Sequence, residues 1–283
     1  MKKTFIAVIL TLLMCGCAPE SLSVREETQS TEETPSPTPV PTQLVLQPPE
    51  KYDNTDTKSI GWGMVRKKGA PPEVDKKSRE LLEAHNGYYI DHSGSKTLYL
   101  TFDEGYENGF TAQILDVLAS ENVPAAFFVT GPYLENQQEL VKRMIDEGHT
   151  VGNHTVNHMN LSKQTAQKVQ SELNNLNKRC AELYGVNMKY MRPPEGEYSE
   201  KVLSVAEDMG YKTILWSFAY KDWDVNLQKG EDYAFSQITP YLHDGSIMLL
   251  HAVSSDNAAV LKRVITYAKD AGFEFKSLDD LCD

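Results

Sequence analysis

Short apolar runs that alternate with amphipathic helical stretches set the strongest limit on what this chain can fold into. Leu98, Leu100 and Phe102 alternate with Thr97, Tyr99 and Thr101, the period of a strand with one buried face. Ile114, Leu115 and Leu118 then recur at helical spacing, and Asn122 is placed to end that helix. The cycle continues with an apolar run at 125–129, a helix carrying Leu140, Val141, Met144 and Ile145, a short strand at 150–151 and a long helix over about 165–184. Further strands are expected at 189–191, 212–216, 246–250 and 273–276, with helices marked by Val202, Leu203 and Ala206 and by Leu261, Val264, Ile265 and Ala268. Such alternation predicts an α/β fold with a parallel sheet covered by helices, either a doubly wound sheet or a barrel.

The polar clusters fall just after the strands. They are Asp103-Glu104, His154 to His158, Arg192-Pro193-Pro194, Asp222-Trp223 and His251. In parallel α/β folds the carboxyl ends of the strands form the functional face. Closure of the strands into a barrel would bring these distant positions to one rim.

The spacing His154-x-x-x-His158 predicts two imidazoles on one side of a helical turn, suited to a divalent cation. Asp103 and Glu104 are adjacent, so on extended backbone their side chains point in different directions. One carboxylate can then bind metal while the other faces its water. Two histidines and one carboxylate leave coordination positions open, as hydrolysis requires.

The flanks say where such chemistry operates. Residues 1–17 read as an export signal, with Lys2 and Lys3 before an apolar stretch too short to span a bilayer. Cys17, preceded by Gly16, resembles the lipidated cysteine of bacterial lipoproteins, which predicts an extracytoplasmic protein held at the cell membrane by a lipid anchor; an ordinary secretory signal is the alternative. Residues 18–58 form a tether rich in Pro, Ser, Thr and Glu, with Pro35, Pro37, Pro39 and Pro41 at every second position. Residues 59–96 are expected to be an N-terminal extension packed on a catalytic domain at 97–283. A net charge of −12 argues against nucleic acid as a partner, since phosphate binding needs a basic stripe and the sequence shows none. With Cys15 and Cys17 in the leader, Cys180 and Cys282 remain, and Cys180 falls in the apolar series of Val169, Leu173, Leu176 and Leu183, which predicts a buried thiol.

The five clusters resemble the motifs of the polysaccharide deacetylases, the NodB-homology or carbohydrate esterase family four. Thr101-Phe102-Asp103-Glu104-Gly105 is similar to its TFDDG motif, His154 to His158 to its HxxxH, and Arg192-Pro193-Pro194-Glu195-Gly196 to its third. Asp222-Trp223 and Leu249-Leu250-His251 are similar to the fourth and fifth. Outside these motifs, Gly61-Trp62-Gly63, Asn86-Gly87-Tyr88-Tyr89, Gly105 to Gly109 and Phe275 to Leu281 resemble the delta-lactam-biosynthetic deacetylases of endospore formers, which act on muramic acid in spore cortex peptidoglycan.

That resemblance implies a distorted (β/α) barrel with incomplete repeats and a metal-dependent N-deacetylase, a monomer acting on peptidoglycan glycan strands. The ion would be a divalent metal, zinc first and cobalt next, held by Glu104, His154 and His158. Asp103 would be the base, His251 the acid supported by Asp222, and Arg192 the group that orients Asp103. Trp223 and Leu249 would line the acetyl pocket or else lie in the core, with Pro194 and Glu195 against the substrate. Two residues depart from the family pattern: Glu104 stands where the second aspartate is usual, and Glu195 where an aromatic or basic residue is usual.

Overall fold

The computed structural model describes Leu44 and residues 46–282. The expected export signal, Cys17 and most of the tether lie outside the described residues.

Twelve strands occur among the described residues: β1 (Ile60–Gly61), β2 (Met64–Lys67), β3 (Ala70–Val74), β4 (Gly87–Tyr88), β5 (Thr97–Glu104), β6 (Ala125–Val129), β7 (Thr150–Asn153), β8 (Tyr190–Met191), β9 (Glu197–Tyr198), β10 (Lys212–Ile214), β11 (Ser246–His251) and β12 (Glu274–Phe275). The main sheet runs in the order β11-β5-β6-β7-β8-β10-β4, with β12 beside β5, and every pair in it is parallel. β5 to β8 and β10 are laid down in chain order, each separated from the next by helix, as right-handed crossovers require. Where β4 meets β11, regular pairing gives way to one bridge, Ile90 to Ser246, and a bond from Asp91 N to the Gly245 carbonyl. The sheet is therefore a curled, incomplete barrel, one of the two forms the alternating pattern leaves open and the one the resemblance implies.

Strand parity divides the core into two layers. Tyr99, Ala126, Phe128, Tyr190, Ile214 and Ile247 fill the concave inside of the sheet, whereas Leu98, Leu100, Phe102 and Phe127 face the helices. β5 is buried along its whole length, not on one face as its alternation predicts. Its polar inward residues are paired instead of solvated: Thr101 Oγ1 donates to the Met248 carbonyl at 2.7 Å and Tyr99 OH to Asp91 at 2.9 Å. A central strand between a barrel interior and a helix layer has no wet face.

Side-chain caps start several of the helices, and the helix end expected at Asn122 is found there. Thr165, Ser199 and Ser254 cap the helices Ala166–Tyr184, Glu200–Asp208 and Ser255–Asp270 through their hydroxyls. Asn122 ends Thr111–Glu121 in the left-handed conformation, φ 52°. Cys180 is a buried thiol, its pKa pushed up to about 12 by burial.

Several elements have no signal in hydrophobic period: the β2–β3 hairpin, the helices Lys76–Ala84 and Glu231–Ile238, and the pairing of β1 with β9. Trp62, the residue after β1, donates its indole N–H to the Trp216 carbonyl at 2.9 Å and its backbone N–H to the Gly196 carbonyl at 2.9 Å. The N-terminal segment thus braces the loop that comes after β8. Among the described residues no helix is long and apolar enough to cross a membrane.

Candidate active site

Asp103, the last residue but one of β5, has its side chain on the inward parity of Tyr99 and Thr101. Arg192, the first residue after β8, lies directly across the curled sheet and is fully buried. Its Nη1 donates to Asp103 Oδ1 at 2.7 Å, its Nη2 to Thr101 Oγ1 at 2.8 Å and its Nε to the Ile214 carbonyl at 3.0 Å. The guanidinium also lies 4.2 Å from the Phe128 ring centre. Burial alone would raise the Asp103 carboxyl, but the charges of Arg192, His154 and His251 outweigh it and hold the group below the usual carboxylate range.

His154 comes directly after β7. The helical turn expected for His154 to His158 does not form: Thr155 and His158 take left-handed backbone, φ 67° and 50°, which no right-handed helix admits. Tertiary bonds take up the loop's polar groups instead. Asn153 Oδ1 accepts from Thr155 N at 3.0 Å, Glu172 accepts from Asn157 N and Nδ2 at 2.8 and 2.7 Å, and Gly131 N donates to the Thr155 and Val156 carbonyls at 3.2 and 3.1 Å. The loop still brings the two imidazoles together, with ring centres 4.8 Å apart.

Glu104 has the opposite parity from Asp103 and points into the helix layer. It is fully buried, its Oε1 accepts from Thr111 Oγ1 at 3.4 Å, and its Oε2 has no hydrogen-bond partner. Burial, with the nearby charge of Glu107, raises its pKa well above the usual range.

His251 ends β11 in register with Asp103. Its Nδ1–H donates to Asp222 Oδ1 at 2.8 Å, while its backbone N–H and the Asn257 amide donate to Asp222 Oδ2 at 2.9 and 2.6 Å. Burial would lower the His251 pKa, but the hydrogen bond and charge of Asp222, aided by Asp103, outweigh it and leave it raised. Asp222 does not sit at a strand end: it lies in the irregular segment well beyond β10. Asn257, in the first turn of the Ser255–Asp270 helix, is a site residue that no sequence motif marks, and Tyr220 OH donates to its Oδ1. A buried asparagine beside a helix cap carries no spacing signal of its own.

These groups meet in a groove of about 780 Å³ lined by Asp103, His154, His158, Glu195, Leu249 and His251, among others. Trp223 is 56% exposed at its rim and so is no part of the core; Lys221 Nζ lies 4.9 Å from its ring centre. Tyr106, 53% exposed and within the Gly105 to Gly109 stretch, and Trp216, which no sequence motif marks, also line it. Glu195 is exposed with φ 59°, whereas Pro194 is buried and does not line the groove. Gly196 comes next at φ 68°, where an added Cβ would stand 2.8 Å from the Trp216 ring.

The donor chemistry suits a divalent ion in part. The Nδ1–H of His154 donates to the Arg192 carbonyl at 2.8 Å, which fixes the tautomer and leaves Nε2 as the lone pair, 3.5 Å from Asp103 Oδ2. Burial lowers the His154 pKa to about 4, so the ring is neutral and ligand-competent at neutral pH. The two imidazoles offer a transition ion two nitrogen donors and leave its other positions open. Glu104 is not brought to them, and among the described residues no three His, Cys, Asp or Glu side chains are gathered to hold an ion by themselves.

Comparison with known proteins gives the same picture. The polysaccharide deacetylase profile matches residues 91–214. The peptidoglycan-N-acetylmuramic acid deacetylase PdaA of Bacillus subtilis is 44% identical over 224 residues, covering 78% of this chain and 85% of that protein. The solved structure of that PdaA, a family 4 carbohydrate esterase, superposes with a TM-score of 0.78 at 43% identity, over 80% of this chain and 97% of that one. A family 4 carbohydrate esterase from Bacillus anthracis gives a TM-score of 0.68 at 39% identity, over the same shares of the two chains. The chain belongs to the polysaccharide deacetylase family, carbohydrate esterase family four.

Proposed function

We propose that this protein is a metal-dependent hydrolase that removes the N-acetyl group from N-acetylmuramic acid in peptidoglycan, toward muramic delta-lactam in spore cortex. The observation that carries the reading is the pairing of two tuned groups across one groove. Asp103, kept ionised by Arg192, stands in register with His251, kept protonatable by Asp222. An acid and a base with pKa values pushed apart are what amide hydrolysis needs.

In this scheme the free Asp103 Oδ2 takes the proton of the attacking water, since Oδ1 is committed to Arg192. The water oxygen bonds to the acetamide carbon, the C–N bond breaks, and His251 Nε2 protonates the departing sugar nitrogen. A backbone N–H near Glu195 donates to the oxyanion, while Leu249 and Trp223 receive the acetyl methyl. His154 and His158 would hold the ion, which supplies Lewis-acid polarisation and a lowered pKa for water; zinc is the first candidate and cobalt the second. The protein acts outside the cytoplasm as a monomer, anchored to the membrane through lipid on Cys17.

One observation favours a second reading. Glu195 puts a carboxylate on the groove, and it would repel the lactyl carboxylate of a muramic residue stripped of its peptide. N-acetylglucosamine, in peptidoglycan or chitooligosaccharide, carries no such group. Acetate release from defined muropeptides and chitooligosaccharides, with product masses assigning the deacetylated sugar, tests both. Release from muramic acid supports the first reading, release from glucosamine alone replaces it with the second, and release from neither rejects both.

A further inference from the structure

The geometry points to a metal centre built without Glu104: the ion is held by the imidazoles of His154 and His158, and the second acid of the Asp103-Glu104 pair supplies no ligand oxygen. This rests on the proposal that the groove binds a metal, and it concerns which residues do so.

The backbone decides which way Glu104 points. Successive side chains of a strand point to opposite faces, and the inward face at this height is already held by Asp103. Glu104 shares parity with Leu98, Leu100 and Phe102, which pack against the helices. Its backbone cannot turn over without losing the ladder, because Glu104 is in register with Val129 on β6 and its carbonyl accepts from Thr130 N at 3.2 Å. Its carboxylate meets the Thr111 hydroxyl, and Tyr133 OH closes the same pocket through bonds to Thr111 Oγ1 at 3.2 Å and Glu107 Oε2 at 3.1 Å. The longer glutamate arm therefore reaches further into the helix layer, not toward the groove. Glu104 is absent from the groove lining, whereas Asp103, His154 and His158 are all present.

The two sides of β5 thus carry separate acids. Asp103 Oδ2 faces His154 Nε2 at 3.5 Å; Glu104 belongs to the packing of Thr111, Tyr133 and Glu107.

The test is zinc binding by the purified full chain, measured by isothermal titration, with cobalt absorption spectra as a second readout of the ligand set. Glu104→Gln should bind zinc within about threefold of the unaltered protein and leave the cobalt bands in place, while His158→Ala should weaken binding at least ~100-fold. Glu104→Met, which keeps the volume but offers no oxygen, repeats the measurement should Glu104→Gln fold poorly, with circular dichroism as the check. A tenfold or greater loss of affinity in either folded Glu104 variant, or a shift of its cobalt bands, overturns the inference. Absence of zinc binding by the unaltered chain would instead reject the metal reading on which it rests.

Discussion

Arg192 and Asp103 form a buried ion pair, Nη1 to Oδ1 at 2.7 Å, between side chains from opposite sides of the curled sheet. All three guanidinium nitrogens are engaged, since Nε and Nη2 donate to the Ile214 carbonyl and Thr101. Removing one partner of such a pair leaves the other charge uncompensated, at a cost of about 3–5 kcal/mol. Arg192→Met should therefore lower the urea midpoint by that equivalent. Because burial then dominates, the Asp103 pKa should rise, and the acid limb of the rate profile should move to higher pH. Arg192→Lys keeps the charge but loses the fork, so its acid limb should lie between the two. An unchanged acid limb in Arg192→Met would remove Arg192 from the control of Asp103.

Asp222 supports His251 by charge and by a 2.8 Å hydrogen bond. The raised His251 pKa contributes stability that is fully present below its unfolded value and is lost as pH climbs through the folded one. The same sign governs catalysis, because His251 donates only while protonated, so activity falls as pH rises past its pKa. In Asp222→Asn the charge is gone and burial prevails. The alkaline limb of kcat/KM should then move down by at least about one pH unit. A limb that stays in place assigns it to another group.

Asn257 holds Asp222 Oδ2 at 2.6 Å and the His251 carbonyl at 3.1 Å with one amide, yet it does not line the groove. Asn257→Ala should lower kcat roughly tenfold, about 1.4 kcal/mol, with KM unchanged. A rise in KM at constant kcat would mean that Asn257 serves substrate binding instead.

Legibility in the sequence depends on which signals are local. β5, β6 and β11 and the long helices are written in hydrophobic period and caps, and the Asp103-Glu104 pair shows its divided directions because strand parity is a local rule. That His154 and His158 meet is legible, but the manner is not. Their loop is shaped by Glu172, Gly131 and Asn153, and two of these lie on other elements, so a four-residue spacing imitates a helical turn. β4 and the β1–β9 pair are two-residue strands with no period to detect. Glu104 reads as a ligand from its motif, whereas its direction is set by the parity of the strand that carries it.

Gly131 opens the short helix Gly131–Asn136 that comes after β6, against the histidine loop. Its N–H reaches the Thr155 and Val156 carbonyls, and a Cβ on it would stand 2.7 Å from the Val156 carbonyl oxygen. That neighbour is backbone and cannot swing aside, so Gly131→Ala must push the segment between His154 and His158 outward. Overpacking of this kind costs about 1–3 kcal/mol, and for a domain of this size roughly 2–4 °C of melting temperature per kcal/mol. The displacement acts unequally on the two rings. His154 is anchored by the Arg192 carbonyl and its neighbour's ladder, whereas His158 lies at the far end of the moved segment. Gly131→Ala should therefore weaken zinc binding at least ~10-fold while Asp103 and His251 stay in place, so that saturating zinc restores most of the activity. Thermal melts and zinc titrations of this variant check both halves. A folded Gly131→Ala protein with native zinc affinity would show that the loop absorbs the added methyl without moving His158.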